Sequence, residues 1–353
     1  MDIALLSLIL PLGISFFTLT QITFLVDCYE GSVKTSFVNY FLFVTFFPHL
    51  IMGPIIHHKD MMPQFDSLRA KIFNKQNLVK GLLLFSIGLL KKVGIADMFS
   101  SWANYGFDTT TILTLTLAWK TSLSYSLQLY FDFSGYTDMA LGTSLMFNIH
   151  MPLNFDSPYK ALNIQDFWRR WHMTLSRFLR DYVYIPLGGN RICRLRTDIN
   201  VFAVFIIGGL WHGAGWGFLV WGALHGLAYA TYSHLKKFTI KMPAVVAWCI
   251  MFNFINITWI FFRAKSFESA LKVLRGMSGF AGLGLEFLRA DILQYGAIII
   301  FLFVCFFGKN SMELSNIKTP SFKTVLISIC LLITSVIIMI EKNMASEFLY
   351  FNF

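Results

Sequence analysis

Charge is what this sequence has least of. Only 14% of its 353 residues are Asp, Glu, Lys or Arg, while 56% are hydrophobic and the mean hydropathy is +0.60. Soluble domains carry roughly 25% charged residues, so the composition excludes an ordinary water-soluble globule and points to a polytopic membrane protein. Cysteine is sparse too. Cys28, Cys193, Cys249, Cys305 and Cys330 show no paired spacing, which gives neither a disulfide framework nor a zinc pattern. No soluble domain, long linker or internal repeat interrupts the chain. Basic residues ahead of the first apolar run are missing as well: only Met1 and Asp2 precede it, so Ile3 to Val26 is expected to span the membrane and not to be a leader.

The charge that is present leans one way. A formal net charge of +10 reads as basic loops facing cytoplasm and anionic headgroups, and the lack of a basic domain outside the apolar segments argues against nucleic acid. Further spans are expected at Phe37 to Ile56, which Pro48, Gly53 and Pro54 interrupt and close, and at Leu78 to Ile95, ending in Lys91 and Lys92. The basic loop between them holds His57 and His58, read as solvated surface. Thr109 to Phe131 carries Lys120, and a separate span at Gly135 to Ile149 has Asp132 and Asp138 at or near its start. Charges inside a membrane are functional candidates, although a carboxylate near a helix N-terminus is also stabilised by the dipole. Ile199 to Trp221, Ala214 to Tyr232, Pro243 to Phe262, Ile292 to Phe307 and Val325 to Ile340 complete the apolar set. The fold class expected is all-α, with about nine to eleven membrane helices, some short or re-entrant.

The most informative stretch is Gln165 to Arg191, QDFWRRWHMTLSRFLRDYVYIPLGGNR. Trp168, Trp171, Leu175, Phe178 and Tyr182 recur at helical spacing, which predicts one helix with an aromatic face. Arg169, His172 and Ser176 line an adjacent stripe; Arg170, Thr174, Arg177 and Asp181 line another, with Arg177 and Asp181 one turn apart as an ion pair. Asn163 and Asp166 suit its N-terminus, and Pro186, Gly188 and Gly189 end it. A helix this basic belongs at a membrane surface. Leu187 to Asn190 beside Arg191, Arg194 and Arg196 reads either as a phosphate cradle or as a cytoplasmic turn.

A second segment, Gly208 to Gly226 (GGLWHGAGWGFLVWGALHG), puts His212 and His225 in an apolar setting. On an ideal helix they lie roughly 140° apart, so they share a groove only if the Gly213 to Gly217 region bends. Each is a candidate general base or a hydrogen-bonded core residue.

These segments, with YFDFSGYTDMALG (Tyr130 to Gly142), NFDSPY (Asn154 to Tyr159), LPLGISFFT (Leu10 to Thr18) and FPHLIMGPI (Phe47 to Ile55), resemble the membrane-bound O-acyltransferase (MBOAT) family, most closely its alginate O-acetylation and peptidoglycan O-acetyltransferase branch. The resemblance implies tilted helices around a central tunnel. It implies His212 as the catalytic histidine and His172 as a second polar residue of the tunnel. Donor contacts are then expected from Trp168, Arg169, Arg170, Trp171, Arg177, Arg180, Trp211 and Asp138, with acetyl-CoA or another acyl thioester as donor substrate, no bound cofactor and no metal.

The resemblance further implies a multi-pass protein of the bacterial inner membrane, in contact with lipid, that passes an acetyl group to a hydroxyl of peptidoglycan, an alginate-like polysaccharide or a periplasmic partner transferase. In that branch LPLGISFFT normally follows further membrane helices, so residues 1–353 are expected to form a single acyltransferase domain of short form. Three other readings compete: a transporter or flippase using the same polar residues without chemistry, D-alanyl transfer to teichoic acid, and haem ligation by His212 and His225.

Overall fold

A computed structural model describes residues 13–342 apart from 32, 34 and 239–241; the side chains of Arg69 and Phe287 also fall outside the description. Leu10 to Leu12 of the LPLGISFFT segment, and the start of the expected first span, lie outside the described residues. The described residues form sixteen α-helices and no strand. The first half runs α1 (Ile14–Tyr29), α2 (Phe37–Thr45), α3 (His58–Asp66), α4 (Lys75–Leu89), α5 (Asp97–Asn104) and α6 (Leu115–Met146). Two short helices, α7 (Ile164–Arg170) and α8 (Met173–Leu179), lead into the α9 (Arg194–His212) and α10 (Trp216–Leu235) hairpin and then α11 (Ala244–Arg263). The chain closes with α12 (Phe267–Met277), α13 (Leu285–Ala290), α14 (Ile292–Phe307), α15 (Ser311–Ser315) and α16 (Phe322–Glu341).

The axis of the fold is α6. Its 32 residues make a rod of about 48 Å, longer than a hydrocarbon core of ~30 Å. The separate spans expected at Thr109 to Phe131 and Gly135 to Ile149 are therefore one helix, and Asp132 and Asp138 lie in its interior, where no terminal dipole reaches them. The polar residues that suggested a break are buried against other helices. Lys92 bonds to Asp132 at 2.7 Å and to Asp97 at 2.9 Å, and Lys91 bonds to Asp138 at 2.7 Å. Lys120 pairs with Asp291 at the opposite end.

Glycine brings α4 and α6 close enough for these bonds. Gly81 faces Gly142, and Gly88 faces Gly135; a Cβ on Gly81 would lie 2.5 Å from the Gly142 carbonyl oxygen, and one on Gly88 would lie 2.6 Å from that of Gly135. Small residues at such a crossing let backbones touch where no hydrophobic force separates helix from lipid. Just beyond it the backbone widens into a π-helical turn at Leu90–Ala96, where the two lysines stand.

Membrane crossing is less uniform than the sequence suggests. Among the described residues, α11 and α16 are long and apolar enough to span, and α1 and α14 are apolar but shorter. The remaining helices fall short because they are brief, as α2, α7 and α8 are, or because they carry the polar residues that pair inside the fold. Phe37 to Ile56 becomes α2 and a 3-10 turn at Phe47–His49, divided beside Pro48. His57 and His58 are buried, at 2% and 6% exposure, and not solvated: His57 stacks on Tyr182 and His58 packs on Phe24 and Phe43.

Overpacking a tight contact costs about 1–3 kcal/mol. Gly88→Val should accordingly lower the melting temperature in detergent, whereas Gly296→Ala on α14, whose Cβ would meet nothing within 4 Å, should not lower it. A Gly88→Val protein that melts with the wild type would mean the crossing tolerates a wider spacing.

Candidate active site

The expected single helix over Gln165 to Arg191 is broken. α7 stops at Arg170, the chain turns at Trp171 and His172, and α8 begins at Met173. His172 adopts φ 43°, ψ 53°, a left-handed conformation that costs a non-glycine residue of order 1–3 kcal/mol and persists only where its surroundings enforce it. The enforcement is visible. Asn154 accepts the Thr174 hydroxyl proton at 2.6 Å through its side chain and the Met173 amide at 3.0 Å through its backbone carbonyl, while Thr174 Oγ1 accepts from the Ile55 amide at 3.0 Å. The turn aims the His172 ring into the protein, where it is 1% exposed. Phe133 lies edge-on at 4.7 Å between ring centroids, Phe16 is stacked at 6.0 Å and Trp211 is at 6.2 Å. Neither ring nitrogen of His172 meets a hydrogen-bond partner among the described residues.

His212 is the last residue of α9 and is also buried. Gly213 to Gly215 break the helix after it, so the bend that the glycines suggested is present. Trp211 and Phe262 lie 4.8 Å from its ring, Trp221 5.4 Å and Phe218 6.3 Å. The Trp211 indole thus touches both candidate histidines. His225 is different. It accepts from Trp168 Nε1 at Nδ1, 3.2 Å away, which leaves Nε2 to donate to the Thr258 hydroxyl at 3.0 Å. Both nitrogens are committed to structure, and Trp221 stands between His225 and His212, so the two histidines are not arranged to ligate one haem.

A cavity of about 850 Å³ reaches His212. One face of α9 lines it over the whole helix, through Arg194, Thr197, Val201, Val204, Gly208 and His212, a length of about 27 Å. Its outer end is basic: Arg169, Arg177, Arg180, Arg194 and Lys236 line it, with Asp198 as the acidic residue. The α9 stripe is the element that reading the sequence missed, although its spacing of three and four residues was there to be found.

The other expected donor residues separate. Trp168 lines the cavity, and Arg169 is exposed with no ion pair among the described residues. Arg177 pairs with Asp60 at 2.5 Å and more loosely with Asp181 at 3.7 Å, the partner its helical spacing suggested. Arg180 is held by Asp181 at 2.7 Å. Arg170 is turned away, onto Asp166 and Asp156. Trp171 is buried in aromatic packing with Phe155, Phe167 and Trp259, and Asp138 belongs to the α4–α6 pairing, outside the cavity lining. Among the described residues no group of His, Cys, Asp and Glu could hold a metal.

A second cavity, about 1140 Å³, approaches His212 from the far end of α11 and is lined by Gln128, Asn104, Asp108, Arg263 and Lys265. Phe218 and Phe262 line it too, and these rings divide it from His212. A buried imidazole between two cavities, one cationic and one mixed, suits transfer of a group between two substrates that never share a pocket.

Residues 4–271 match MBOAT, the membrane-bound O-acyltransferase family. The chain belongs to it. It is therefore a membrane protein and an O-acyltransferase. The peptidoglycan O-acetyltransferase of Helicobacter pylori is 48% identical over 99% of this chain and 75% of its own length. The "Probable alginate O-acetylase AlgI" of Pseudomonas aeruginosa is 38% identical over 90% of this chain and 61% of its own. The teichoic acid D-alanyltransferase of Bacillus subtilis is more distant, at 29% over 74% of this chain. The match covers α1 to α11 and the start of α12, and with them His172, His212 and both cavities around His212.

Two substitutions at His172 separate its backbone from its ring. Glycine tolerates the left-handed conformation and alanine does not, so His172→Gly should be more stable than His172→Ala by roughly 1 kcal/mol. Both remove the imidazole, so both should lose comparable acyl-transfer activity. Recovery of activity in His172→Gly alone would show that the turn matters and the ring does not.

Proposed function

We propose that this protein moves an acetyl group from cytoplasmic acetyl-CoA across the bacterial inner membrane to a hydroxyl of a cell-surface polysaccharide, directly or through a periplasmic partner transferase. The names of the relatives at 48% and 38% identity support a polysaccharide acceptor of the peptidoglycan or alginate kind. What carries the donor assignment is the basic mouth joined by one helix face to His212. Arginine and lysine at the mouth suit the phosphates of coenzyme A, and the long narrow path suits its extended arm. The thioester would then lie at His212, with the acceptor entering from the Arg263 side past Phe218 and Phe262. The residues around His212 and His172 form, on this reading, one membrane-embedded domain with both cavities.

The chemistry follows from the placement. The acceptor oxygen attacks the thioester carbonyl, His212 takes the hydroxyl proton, the C–O ester bond forms and the C–S bond breaks, and the departing thiolate recovers a proton. A neutral imidazole in an aromatic enclosure is suited to this, because such an enclosure limits the water that competes for the acyl group. His172, across the Trp211 indole, orients the reacting groups.

Acetyl transfer by purified variants at matched folded levels tests the assignment. His212→Ala should lose about 10² to 10⁴ in rate while expressing and melting like the wild type, and His172→Ala should retain more activity. Wild-type transfer by His212→Ala removes the base from α9.

The mouth is tested through binding. Losing one hydrogen bond to a charged group costs about 1.5–3 kcal/mol, so Arg169→Gln should raise KM for acetyl-CoA about tenfold or more with little change in kcat. Arg170→Gln, whose guanidinium faces Asp156 and Asp166, should leave KM unchanged. Equal effects of the two would place the donor phosphates elsewhere.

A further inference from the structure

A third cavity, about 460 Å³, lies away from His212, between α4, α14, α15 and α16. Its walls are mostly apolar, with Leu83, Ile87 and Leu90 on one side, Val304, Ile327 and Leu331 on the other, and Tyr130 and Phe131 of α6 beside them; Ser157, Asn310 and Thr324 also line it. Val304, Ile327 and Leu314 are exposed, at 44%, 43% and 48%, so the cleft opens sideways, toward lipid in a membrane. It follows α4 from Leu83 past Leu90 to Ile95, about 18 Å of helix rise, close to the ~15 Å depth of one leaflet of a ~30 Å core.

The two ends differ. Lys91 lines the interior, but its ammonium is spent on Asp138 at 2.7 Å and on the Ser134 hydroxyl at 3.1 Å, so the deep part presents no free charge. At the other end Lys309 lines the cleft, exposed and with no ion pair among the described residues. Lys318 and Lys323, also exposed, follow and precede the lining residues Ile317 and Thr324. Beside Lys309 the Ser311 side chain is 4% exposed, and its Oγ meets no hydrogen-bond partner among the described residues. A buried hydroxyl without a partner is costly, and this one lines an apolar slot under a free ammonium group.

We propose that this cleft binds an anionic glycerophospholipid of the surrounding bilayer, one acyl chain lying along α4 between α14 and α16 and the phosphate held by Lys309 and the Ser311 hydroxyl. Charge complementarity selects an anionic headgroup, and the largely apolar length of the cleft suits an acyl chain better than a nucleotide or a sugar. The bound lipid fills the gap beside the Lys91–Asp138 pair and ties the C-terminal helices to the α4–α6 core.

The test uses the full chain, delipidated in detergent, and reads its melting temperature and retained phosphorus. Mixed micelles containing phosphatidylglycerol should raise the melting temperature by roughly 2–4 °C; phosphatidylcholine at the same fraction should give less than half of that, and inorganic phosphate without lipid should give no rise. Lys309→Glu changes an exposed side chain and leaves the core intact, and with Ser311→Ala it should abolish the preference for phosphatidylglycerol and lower retained phosphorus at least twofold. Equal shifts with the two lipids, a wild-type response from Lys309→Glu, or a full shift with phosphate alone would each overturn the proposal.

Discussion

Lys91 and Lys92 stand side by side on a π-helical turn and meet carboxylates six residues apart on α6, Asp138 and Asp132. Burying an ion in an apolar interior costs several kcal/mol unless it is paired and hydrogen-bonded, so these contacts decide where the two helices can sit. Glycine makes the arrangement possible: Gly81 with Gly142 and Gly88 with Gly135 hold the backbones at a distance that neither Ala nor Val allows. The helices beyond this crossing also bond to α6. Ser126 bonds Asn256 of α11 at 2.7 Å, and its carbonyl accepts from Tyr159 at 2.6 Å, so the helices around His212 are referenced to the same rod.

The region around His172 and His212 adds an aromatic frame to that polar one. Trp211 meets both candidate histidines, while Phe16, Phe133, Trp221, Phe218 and Phe262 close around them. Rings of this kind fill volume, and they are wedged by one another, as Phe218 on Phe262 at 5.1 Å and Phe16 on Phe133 at 6.2 Å. The His172 ring, whose two nitrogens meet no hydrogen-bond partner among the described residues, is held in place by shape. His225 shows the contrast: two hydrogen bonds fix it, and it has no nitrogen left for chemistry.

Much of the site was legible in the residues, because His212 and its glycine break sit in one short segment whose pattern is local. What was not legible is tertiary. A period of 3.6 cannot reveal that one residue, His172, leaves the helical basin, since the aromatic positions on either side keep their spacing; only Asn154 and Ile55, distant in sequence, enforce the turn. Asp132 and Asp138 looked like the start of a new helix because their lysines lie on another one. Arg169 and Arg170 are adjacent and chemically alike, yet one faces the cavity and the other a pair of acids. Helical phase relative to partners decides that, and composition carries no record of it.

The two cavities at His212 impose one more constraint. On the proposed function, merged cavities would let water reach a thioester at His212 and hydrolyse it, whereas sealed ones would admit no acceptor. Phe218 and Phe262 stand at that boundary, packed edge to face at 5.1 Å and with a glycine on each side of the helix break at Gly213 and Gly215. Phe218 lies in the first turn of α10, three residues after that break, where the helix is least constrained. Its ring lies 6.3 Å from that of His212 and 5.1 Å from that of Phe262, so the wall between the Arg263 cavity and the imidazole is aromatic. The glycine-rich segment therefore does more than bend the chain: it sets Phe218, packed on His212 and Phe262, at the boundary between the buried histidine and the second cavity.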